Sequence, residues 1–341
     1  MKSLIYGYGI TGKSFERYLL KRNIDYDIYD ENISNYSSNK DFSKYSKIYC
    51  SPGIPREKFK LLKETHNVLT DLDIFFHEDN STKIGITGTN RKSTTCFHLS
   101  QLISQKDSVN LIGNIGKPML DKINNGKKYS IIELSSYQLD KMFNNHLDYG
   151  VLLNIAPDHL DYHKSFEDYQ YAKEKILSAK KTSFESDPYN LFEWITEKKS
   201  KKIELKNLPY RFEFITKNIV NDSKSTNSNS LLYAIKEANS FFQEDNYSLI
   251  VCGNPAKELF AKITIEGPQE IIVFGHHRKD IKRCLTHKKI LEFVNLNESL
   301  LYLKDRQNIV FSPGYPSGKD YINFEERGAH FNFLIKEVLG D

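Results

Sequence analysis

Residues 84–95 read IGITGTNRKSTT, and this stretch decides the fold of the central part of the chain. It joins an apolar run, a glycine turn and the Ser/Thr-rich start of a helical pattern, as phosphate-binding loops do. Lys92 could reach phosphate oxygens, and the hydroxyl of Ser93 or Thr94 could hold Mg²⁺ at the positive end of the helix. Arg91 stands where such loops usually place glycine. The stretch predicts a strand–loop–helix unit that binds a nucleoside phosphate, with a Ser/Thr-rich helix cap after a glycine turn as the alternative.

A second glycine turn lies near the start of the chain, in SLIYGYGITGKS (residues 3–14). Gly7, Gly9 and Gly12 follow a strand-like run and precede a helical pattern, and Asp30 ends the next strand-like run. This context is typical of a dinucleotide or nucleotide-sugar fold. The segment therefore predicts a Rossmann-like ligand site, and a glycine turn required only for packing is the alternative.

Polar residues follow two further strand-like runs, at residues 129–134 and 149–155. Because these runs alternate with helical stretches, the sequence favours a mainly parallel sheet with ligands at its C-terminal edge. Glu133 ends the first run and is a candidate Mg²⁺ ligand, or else a surface glutamate. His159 follows the second run and is also a candidate ligand, although a lone histidine is more often solvent-facing or structural.

The last third of the chain predicts another nucleotide-type α/β unit. Its strand-like runs each end in glycine, at residues 248–253, 270–275 and 308–314. The polar stretch 178–207 predicts a connector with one short helix, and a closing helix is expected from about Phe324. The fold class is therefore α/β with three domains: Rossmann-like (1–80), a shortened central P-loop ATPase with a mainly parallel sheet (81–207) and Rossmann-like (208–341).

Composition excludes several classes of function. The formal charge of +4, from 48 basic and 44 acidic side chains, is too small and dispersed to indicate nucleic-acid binding. The four cysteines lack zinc-site spacing and are expected to be reduced and mostly buried. No apolar run reaches the length of about 18 residues that a membrane span needs, and no signal peptide is evident. A cytoplasmic protein without a membrane partner, and a monomer, is expected.

Several motifs in order resemble those of the Mur ligases. They are ITGTNRKSTT, IIELSSYQLD, LLNIAPDHLDYH with YAKEKIL, LPYRFE, NDSKSTN and FSPGYPSGKDYINFEERGAHF, and the resemblance extends from the first glycine loop to the last helix. It is closest to the branch that adds D-glutamate to UDP-N-acetylmuramoyl-L-alanine in cytoplasmic peptidoglycan precursor synthesis. The resemblance implies an ATP-dependent amide ligase that forms an acyl phosphate.

The resemblance also implies site residues for ATP and Mg²⁺. The ATP-binding positions would be Gly88, Thr89, Asn90, Arg91, Lys92, Ser93, Thr94, Arg211 and Asp222. The metal-binding positions would be Ser93, Glu133, His159 and Lys173, with Lys173 carbamylated by CO₂. The catalytic positions would be Lys92, Glu133, His159, Lys173 and Lys224. Without the motif, Lys173 would be interpreted as an ordinary exposed helix lysine.

Two small-molecule substrates are implied in the same way. The UDP-substrate positions would be Ile10, Thr11, Asp30, Ser51, Gly53 and Asn114. The D-glutamate positions would be Thr226, Lys257, Ser317 and Phe324. On this interpretation the first glycine turn takes a UDP-sugar and not NAD.

The chain departs from the family pattern at two points. One is Arg91, and the other is the short distance from Leu177 to LPYR, where the family carries a longer segment that helps to hold adenine. These departures motivate an alternative, a degenerate non-catalytic nucleotide- or UDP-sugar-binding homologue. A third hypothesis, an NAD-dependent dehydrogenase, rests on the first glycine turn alone.

Overall fold

The computed structural model describes residues 2–38, 41–256 and 262–340, and the chain divides into two compact units, Met1–Lys206 and Asn207–Asp341. The strands of the first unit are β1 (Ser3–Tyr6), β2 (Tyr26–Tyr29), β3 (Lys47–Cys50), β4 (Val68–Leu69), β5 (Thr82–Thr87), β6 (Val109–Gly113), β7 (Tyr129–Glu133), β8 (Tyr149–Leu152) and β9 (Lys181–Ser183). Its helices are α1 (Ile10–Leu20), α2 (Arg56–Thr65), α3 (Asp71–Glu78), α4 (Lys92–Ser104), α5 (Ser136–Lys141), α6 (Leu160–His163), α7 (Phe166–Glu174) and α8 (Pro188–Thr196).

Two parallel sheets organise the first unit. The first has the strand order β2-β1-β3-β4, and the second has the order β6-β7-β5-β8-β9. Ile86 of β5 pairs with Glu133 of β7, and Thr87 pairs with Leu152 of β8. The loops that follow these three strands therefore begin at the same edge of the second sheet, as predicted for a ligand site.

The polar connector contributes to the core of the first unit. Asp187 caps α8 by accepting hydrogen bonds from the backbone of Tyr189 and Asn190. The helix buries Leu191, Phe192 and Ile195 in the cluster that contains Leu99 and Ile103 of α4. The predicted short helix is confirmed, but the same stretch also contains β9, which pairs with β8 and was not predicted.

The second unit is also α/β. Its strands are β10 (Glu213–Thr216), β11 (Ile219–Asn221), β12 (Ser248–Cys252), β13 (Ile263–Thr264), β14 (Glu270–Phe274), β15 (Leu285–Thr286), β16 (Ile290–Phe293) and β17 (Ile309–Gly314). Its helices are α9 (Ser228–Phe242), α10 (Arg278–Cys284), α11 (Leu296–Leu303) and α12 (Phe324–Leu339). The main sheet has the order β10-β11-β17-β12-β14-β16 and is parallel except for the β10–β11 pair, and β13 pairs with β15.

The α/β class with mainly parallel sheets is thus confirmed, as are the strands that end in glycine and the helix that begins at Phe324. The division into three domains stays a prediction. All four cysteines are free and buried, as expected. Over the described parts of the chain, none of the helices combines the length and apolar character needed to cross a membrane.

Candidate active site

The phosphate-loop segment connects β5 to α4, and its geometry explains why glycine usually precedes the lysine. Arg91 is the N-cap of α4 and has φ +66° and ψ 0°, in the left-handed region. Glycine adopts this conformation without steric cost, whereas a residue with a Cβ is strained there. The arginine side chain is exposed. The turn therefore keeps the conformation of a glycine-containing loop despite the substitution.

The tip of this loop is held by the segment that follows β8. The Asn90 N–H donates to Oδ1 of Asn154 (2.9 Å), and Nδ2 of Asn154 donates to the Asn90 carbonyl (3.1 Å). The Thr89 N–H donates to the Asn154 carbonyl, and Oγ1 of Thr89 accepts from the N–H of Ala156. Side-chain and backbone bonds thus fix the loop on both sides of its tip.

Two lysines converge on one carbonyl group of the loop. Nζ of Lys92 donates to the carbonyls of Gly88 (2.8 Å) and Thr89 (2.9 Å). Nζ of Lys173 donates to the same Gly88 carbonyl (2.8 Å) and to Oγ1 of Thr87 (3.3 Å). Burial first, and then the charge of Lys92, holds the pKa of Lys173 well below its usual range. Two lysine amino groups therefore lie against the loop, and burial favours the uncharged form of the one on Lys173.

The structure corrects one expectation from the sequence. Lys173 lies on a helix, as expected, but its side chain is only 1% exposed, so the interpretation as an exposed surface lysine is wrong. Tyr169, Ala172 and Lys173 form the buried face of α7. The Tyr169 hydroxyl lies 2.9 Å from Oγ1 of Thr89, which packs this face on the phosphate loop and carries Lys173 inward.

Glu133 ends β7 at the same sheet edge, and its side chain is 1% exposed. Its Oε1 accepts a hydrogen bond from Nδ2 of Asn114 (2.9 Å). Its buried Oε2 has no hydrogen-bond partner within the part of the chain that the structure describes. A buried carboxylate oxygen without a partner is costly unless a ligand satisfies it. Asn114, predicted to reach the UDP-substrate, is thus placed where it orients Glu133.

His159 follows β8 and is the N-cap of α6, with φ +52°. Its Nδ1 lies 3.2 Å from the Tyr137 hydroxyl, and its Nε2 lies 3.6 Å from Oδ2 of Asp158. The ring is 42% exposed, so a ligand can reach it. The neighbouring His163 is fully buried among tyrosine rings that include Tyr169, and burial lowers its pKa to about 4.

The residues at this edge fit Mg²⁺. Ser93 is buried in the first turn of α4, and Glu133 offers the unpaired oxygen. Both are hard oxygen donors, which Mg²⁺ prefers, and protein sites for Mg²⁺ commonly rely on one or two carboxylates plus phosphate and water oxygens. No group of three or more His, Cys, Asp or Glu side chains forms a complete metal cage among the described residues. That donor set suits a metal that binds together with a phosphate substrate.

The first glycine turn is built for close packing. Gly7 has φ +87°, and a Cβ on Gly12 would lie 2.2 Å from the Gly7 carbonyl oxygen. Oγ of Ser51 donates to that same oxygen (2.6 Å). The Asp30 carboxylate accepts hydrogen bonds from the N–H groups of Tyr8 (2.7 Å) and Asn32 (2.9 Å).

The other predicted UDP-substrate positions surround this turn. Ile10 and Thr11 begin α1, and Ile10 is 77% exposed. Gly53 lies in the loop after β3 and would accept a Cβ, since no atom lies within 4 Å of that position. The structure therefore brings Ile10, Thr11, Asp30, Ser51 and Gly53 to the C-terminal edge of the first sheet, and places Asn114 at the second.

In the second unit, predicted site residues follow β11 and β17. Asp222 accepts hydrogen bonds from the Phe212 N–H and the Ser312 hydroxyl, and burial raises its pKa to about 7. Nζ of Lys224 lies 3.9 Å above the ring of Phe324. The remaining predicted positions are Arg211 before β10, Thr226 before α9 and Ser317 after β17, whereas Lys257 lies outside the described residues.

Sequence reasoning missed the residue that joins these segments. Arg327 is fully buried, and its guanidinium donates to the Ser223 carbonyl (2.7 Å), the Ser223 hydroxyl (3.1 Å) and the Tyr315 carbonyl (3.0 Å). It thereby ties the segment of Asp222 and Lys224 to the turn after β17. Its place in NFEERG, directly before Gly328, does not distinguish it from a surface arginine; in the structure a Cβ on Gly328 would lie 2.4 Å from the Tyr210 ring.

In the first unit, Asn154 and Tyr169 were also missed as supports of the phosphate loop. Asn154 ends a strand-like run at the ligand edge, which is a usable signal. Tyr169 stands four residues before Lys173, so helical spacing places both on one face. The sequence alone does not identify the hydrogen-bond partner of either residue, because both partners lie in the distant phosphate loop.

Comparison with known proteins agrees with this geometry. Residues 86–249 match the Mur ligase middle domain. Over 99% of its length the chain is 29% identical to the UDP-N-acetylmuramoylalanine–D-glutamate ligase of Petrotoga mobilis, all of which is covered. It is 26% identical to the enzyme of the same name from Francisella philomiragia, covering 99% of this chain and 97% of that one. The Petrotoga alignment extends over 446 residues against 341 in this chain, so the relative carries additional segments.

Solved structures show the same fold. The MurF ligase of Thermotoga maritima in complex with ADP superimposes with a TM-score of 0.58 at 17% identity, covering 98% of this chain and 95% of that one. The pseudomurein peptide ligase type C of Methanothermus fervidus gives a TM-score of 0.57 at 16% identity, covering 99% and 100%. The chain is thus similar along its length to D-glutamate ligases, contains a Mur ligase middle domain at residues 86–249 and shares its fold with solved ligases of this kind.

Proposed function

We propose that this protein is an ATP- and Mg²⁺-dependent ligase that joins D-glutamate to UDP-N-acetylmuramoyl-L-alanine, in the cytoplasm, during peptidoglycan precursor synthesis. The observation that carries the proposal is the convergence of Lys92 and Lys173 on the Gly88 carbonyl, at the edge where Glu133 leaves one buried oxygen unpaired. The relatives that match the chain end to end bear the name of this reaction.

The phosphate loop would bind the triphosphate of ATP. The first N–H groups of α4 and the positive end of its dipole favour an anion at this position. Nζ of Lys92, which rests on the carbonyls of Gly88 and Thr89, can exchange these acceptors for phosphate oxygens by side-chain rotation alone. The loop from Gly88 to Thr94 thus supplies the donors, and Asn154 keeps its tip in place.

Ser93 and Glu133 would hold one Mg²⁺, and His159 a second. Bound there, Mg²⁺ would neutralise phosphate charge so that the substrate carboxylate can approach the γ-phosphorus. The carboxylate oxygen then bonds to that phosphorus as ADP leaves. The unprotonated amino nitrogen of D-glutamate attacks the resulting acyl carbon and loses a proton as the amide bond forms, and inorganic phosphate leaves with the electrons of the broken C–O bond.

Lys173 would act as a carbamate. A buried amine with a lowered pKa is uncharged for part of the time, so its nitrogen can bond to the carbon of CO₂ and release a proton. The product is an anion beside Lys92, and the Lys92 ammonium group would form an ion pair with it. The carbamate oxygens would then orient the metal that His159 holds.

The second unit would supply further substrate contacts. We assign Arg211, Asp222 and Lys224 to the nucleotide and the acyl phosphate, and Thr226, Lys257, Ser317 and Phe324 to D-glutamate. The burial of Arg327 beneath the turn after β17 supports this assignment, because a rigid base is needed to place the side chains that bind substrate. The pocket of Ile10, Thr11, Asp30, Ser51 and Gly53, with Asn114, would bind the UDP-linked substrate. We retain the division into domains 1–80, 81–207 and 208–341.

One reconstitution tests the function. Purified protein is incubated with ATP, Mg²⁺, UDP-N-acetylmuramoyl-L-alanine and D-glutamate, while phosphate release and product mass are followed. We expect a product heavier by one glutamyl residue, and phosphate release that requires all four components. L-Glutamate in place of D-glutamate is the matched control and should give no product.

Two outcomes would replace this proposal. If the protein binds the UDP-linked substrate but forms no amide under any of these conditions, it is a non-catalytic homologue. If NADH fluorescence titration shows saturable binding while the UDP-linked substrate does not bind, the first glycine turn serves a dinucleotide instead.

A further inference from the structure

A buried lysine connects the two sheets of the first unit at the loop after β3. This loop, residues 51–54, is the SPGI stretch that is assigned to the UDP-linked substrate. Lys141, at the end of α5, donates from Nζ to the Pro52 carbonyl (2.7 Å) and to the Tyr162 hydroxyl (2.6 Å). Its side chain is 1% exposed. Lys141 thus contacts the SPGI loop, which follows a strand of the first sheet, from the helix that follows β7 of the second sheet.

The lysine belongs to a larger charged cluster. The Tyr162 hydroxyl also donates to Oδ2 of Asp140 (3.3 Å). The Arg56 guanidinium, at the start of α2, forms ion pairs with Asp140 (3.2 Å) and Asp168 (3.1 Å). Asp168 lies on α7, the helix that carries Lys173. The cluster therefore holds Pro52 in the SPGI loop, and Arg56 just after the loop, against α5 and α7.

The cost of burying these charges argues for a specific task. A buried ammonium group is unfavourable unless acceptors surround it. When a buried ion pair is replaced by apolar groups, the stability of the fold is often unchanged or higher. Burial lowers the pKa of Lys141 to about 8, which shows how incompletely its partners compensate. Stabilisation of the fold is therefore a weak explanation for a buried lysine at position 141. Positioning of the SPGI loop is a stronger explanation.

The first sheet holds the two ends of the SPGI loop, so any further support is needed between them, at Pro52 and Gly53. Ser51 is bonded to Gly7 through Oγ and to Tyr6 through its N–H. At the far end, the Ile54 N–H donates to the Ser51 carbonyl (3.2 Å), and the Ile54 side chain is buried in the core beside the first sheet. Pro52 has no N–H to donate, and its carbonyl is the group that Lys141 binds. Substitution of Lys141 would remove the hydrogen bond to the Pro52 carbonyl. Pro52 and the solvent-exposed Gly53 would then be free to change conformation.

We propose that Lys141 is a positioning residue for the UDP-linked substrate: through the Pro52 carbonyl it holds the SPGI loop in its binding conformation, next to the phosphate loop. The inference rests on the proposed function. It assigns to Lys141 no contact with the substrate and no part in the transfer of the phosphoryl group.

Lys141→Met tests the inference, with Lys83→Met as the matched control. Lys83 is also buried, and its Nζ binds two carbonyls, those of Asp79 (2.6 Å) and Ser81 (3.2 Å), at the opposite end of β5. In the full chain, Lys141→Met should raise the Kd for UDP-N-acetylmuramoyl-L-alanine in calorimetry at least tenfold, and leave the KM for ATP within twofold. Lys83→Met should leave both constants within twofold, and Lys141→Arg should restore the Kd to within threefold of wild type.

The results separate the inference from the proposed function. If the wild-type protein does not bind UDP-N-acetylmuramoyl-L-alanine, the proposed function fails first. If wild type binds and Lys141→Met binds equally well, or if its Kd and the KM for ATP rise together, the inference is wrong. Should Lys141→Met not fold, Lys141→Gln replaces it: its polar amide suits the site but is one bond too short for Pro52. An unchanged Kd in that variant overturns the inference, and a Kd raised at least threefold supports it.

Discussion

The two glycine turns of the first unit use the same backbone device for different purposes. In each, a strand passes through a tight turn into a helix, and the local contacts meet on one glycine carbonyl. At Gly7 the contacts come from the neutral Ser51 hydroxyl and from the close approach of Gly12. At Gly88 they come from the Nζ amino groups of Lys92 and Lys173.

This difference indicates what each turn is prepared to bind. The first turn provides shape: a bare backbone that a substrate can approach closely and that tolerates no added atom at Gly12. In the second turn, lysine amino groups donate to a neutral carbonyl, which is a weaker acceptor than the oxygens of a phosphate anion. This turn also accommodates a side chain at Arg91. The carbonyl of the turn with the regular glycine pattern therefore accepts from a neutral hydroxyl, whereas the carbonyl of the turn with the irregular pattern accepts from two lysines.

Lys173→Met should have the largest effect, because it removes the buried amine that would form the carbamate at the second turn. Methionine has a similar length and suits the burial, but it cannot take up CO₂ or orient a metal. We expect kcat/KM to fall at least 10³-fold, about 4 kcal/mol of transition-state stabilisation, with an unchanged or higher melting temperature. In the wild type, ¹³C-bicarbonate should give a carbamate signal in NMR spectra that this variant lacks. A variant within tenfold of wild type would show that the second turn does not depend on Lys173.

Gly12→Ala tests the claim that the first turn is shaped by close approach. The new Cβ would lie 2.2 Å from the Gly7 carbonyl oxygen, a backbone atom that cannot move alone. We expect a loss of about 3 kcal/mol in the free energy of unfolding, measured in urea. Gly9→Ala is the matched control, because no atom lies within 4 Å of its Cβ position, and should change stability by less than about 1 kcal/mol. Equal losses of stability in the two variants would mean that the close contact at Gly12 does not determine the conformation of the first turn.

Asn154→Ala and Ser51→Ala together test whether the turns act separately. Asn154→Ala removes two hydrogen bonds to the Asn90 backbone and should raise the KM for ATP about tenfold, about 1.4 kcal/mol. Ser51→Ala removes one bond to Gly7 and should weaken the UDP-linked substrate about fivefold, about 1 kcal/mol. Each variant should leave the other substrate within twofold. Crossed effects would show that the turns form one site.

Much of the fold could be predicted from local patterns. Apolar runs that end in glycine or in polar residues marked β5, β7, β12, β14 and β17, because buried parallel strands leave this signature. Their alternation with helical stretches predicted mainly parallel sheets. The order of the motifs along the chain indicated the family, and several of the motifs, such as ITGTNRKSTT and IIELSSYQLD, lie where a strand ends and a helix starts, where local sequence is most informative.

Burial of charged groups could not be predicted, because it depends on contacts between distant segments. Lys173, Lys141 and Arg327 occupy helices whose patterns fit exposed positions equally well. Lys173 turns inward because α7 packs on Gly88, which lies 85 positions earlier in the chain. The partners of Lys141 and Arg327 likewise come from remote loops. Only the packed structure distinguishes these residues from surface cations.

Arg91→Gly should have the smallest effect, and it separates the effect of backbone strain at this position from the effect of the guanidinium charge. Arg91 has φ +66°, so glycine should relieve strain and stabilise the fold by up to about 1 kcal/mol, reduced by the greater freedom of glycine in the unfolded chain. We expect kcat/KM to remain the same or to rise. Arg91→Ala is the control, since it keeps the strain of a Cβ but removes the guanidinium group, and it should match wild type in both stability and activity. A tenfold loss of activity in both variants would instead show that the guanidinium binds the triphosphate, and that the second turn has added a guanidinium group to the amino groups of Lys92 and Lys173. A loss in Arg91→Gly alone would assign the effect to the backbone, because the two variants differ only in the Cβ that restricts φ at this position.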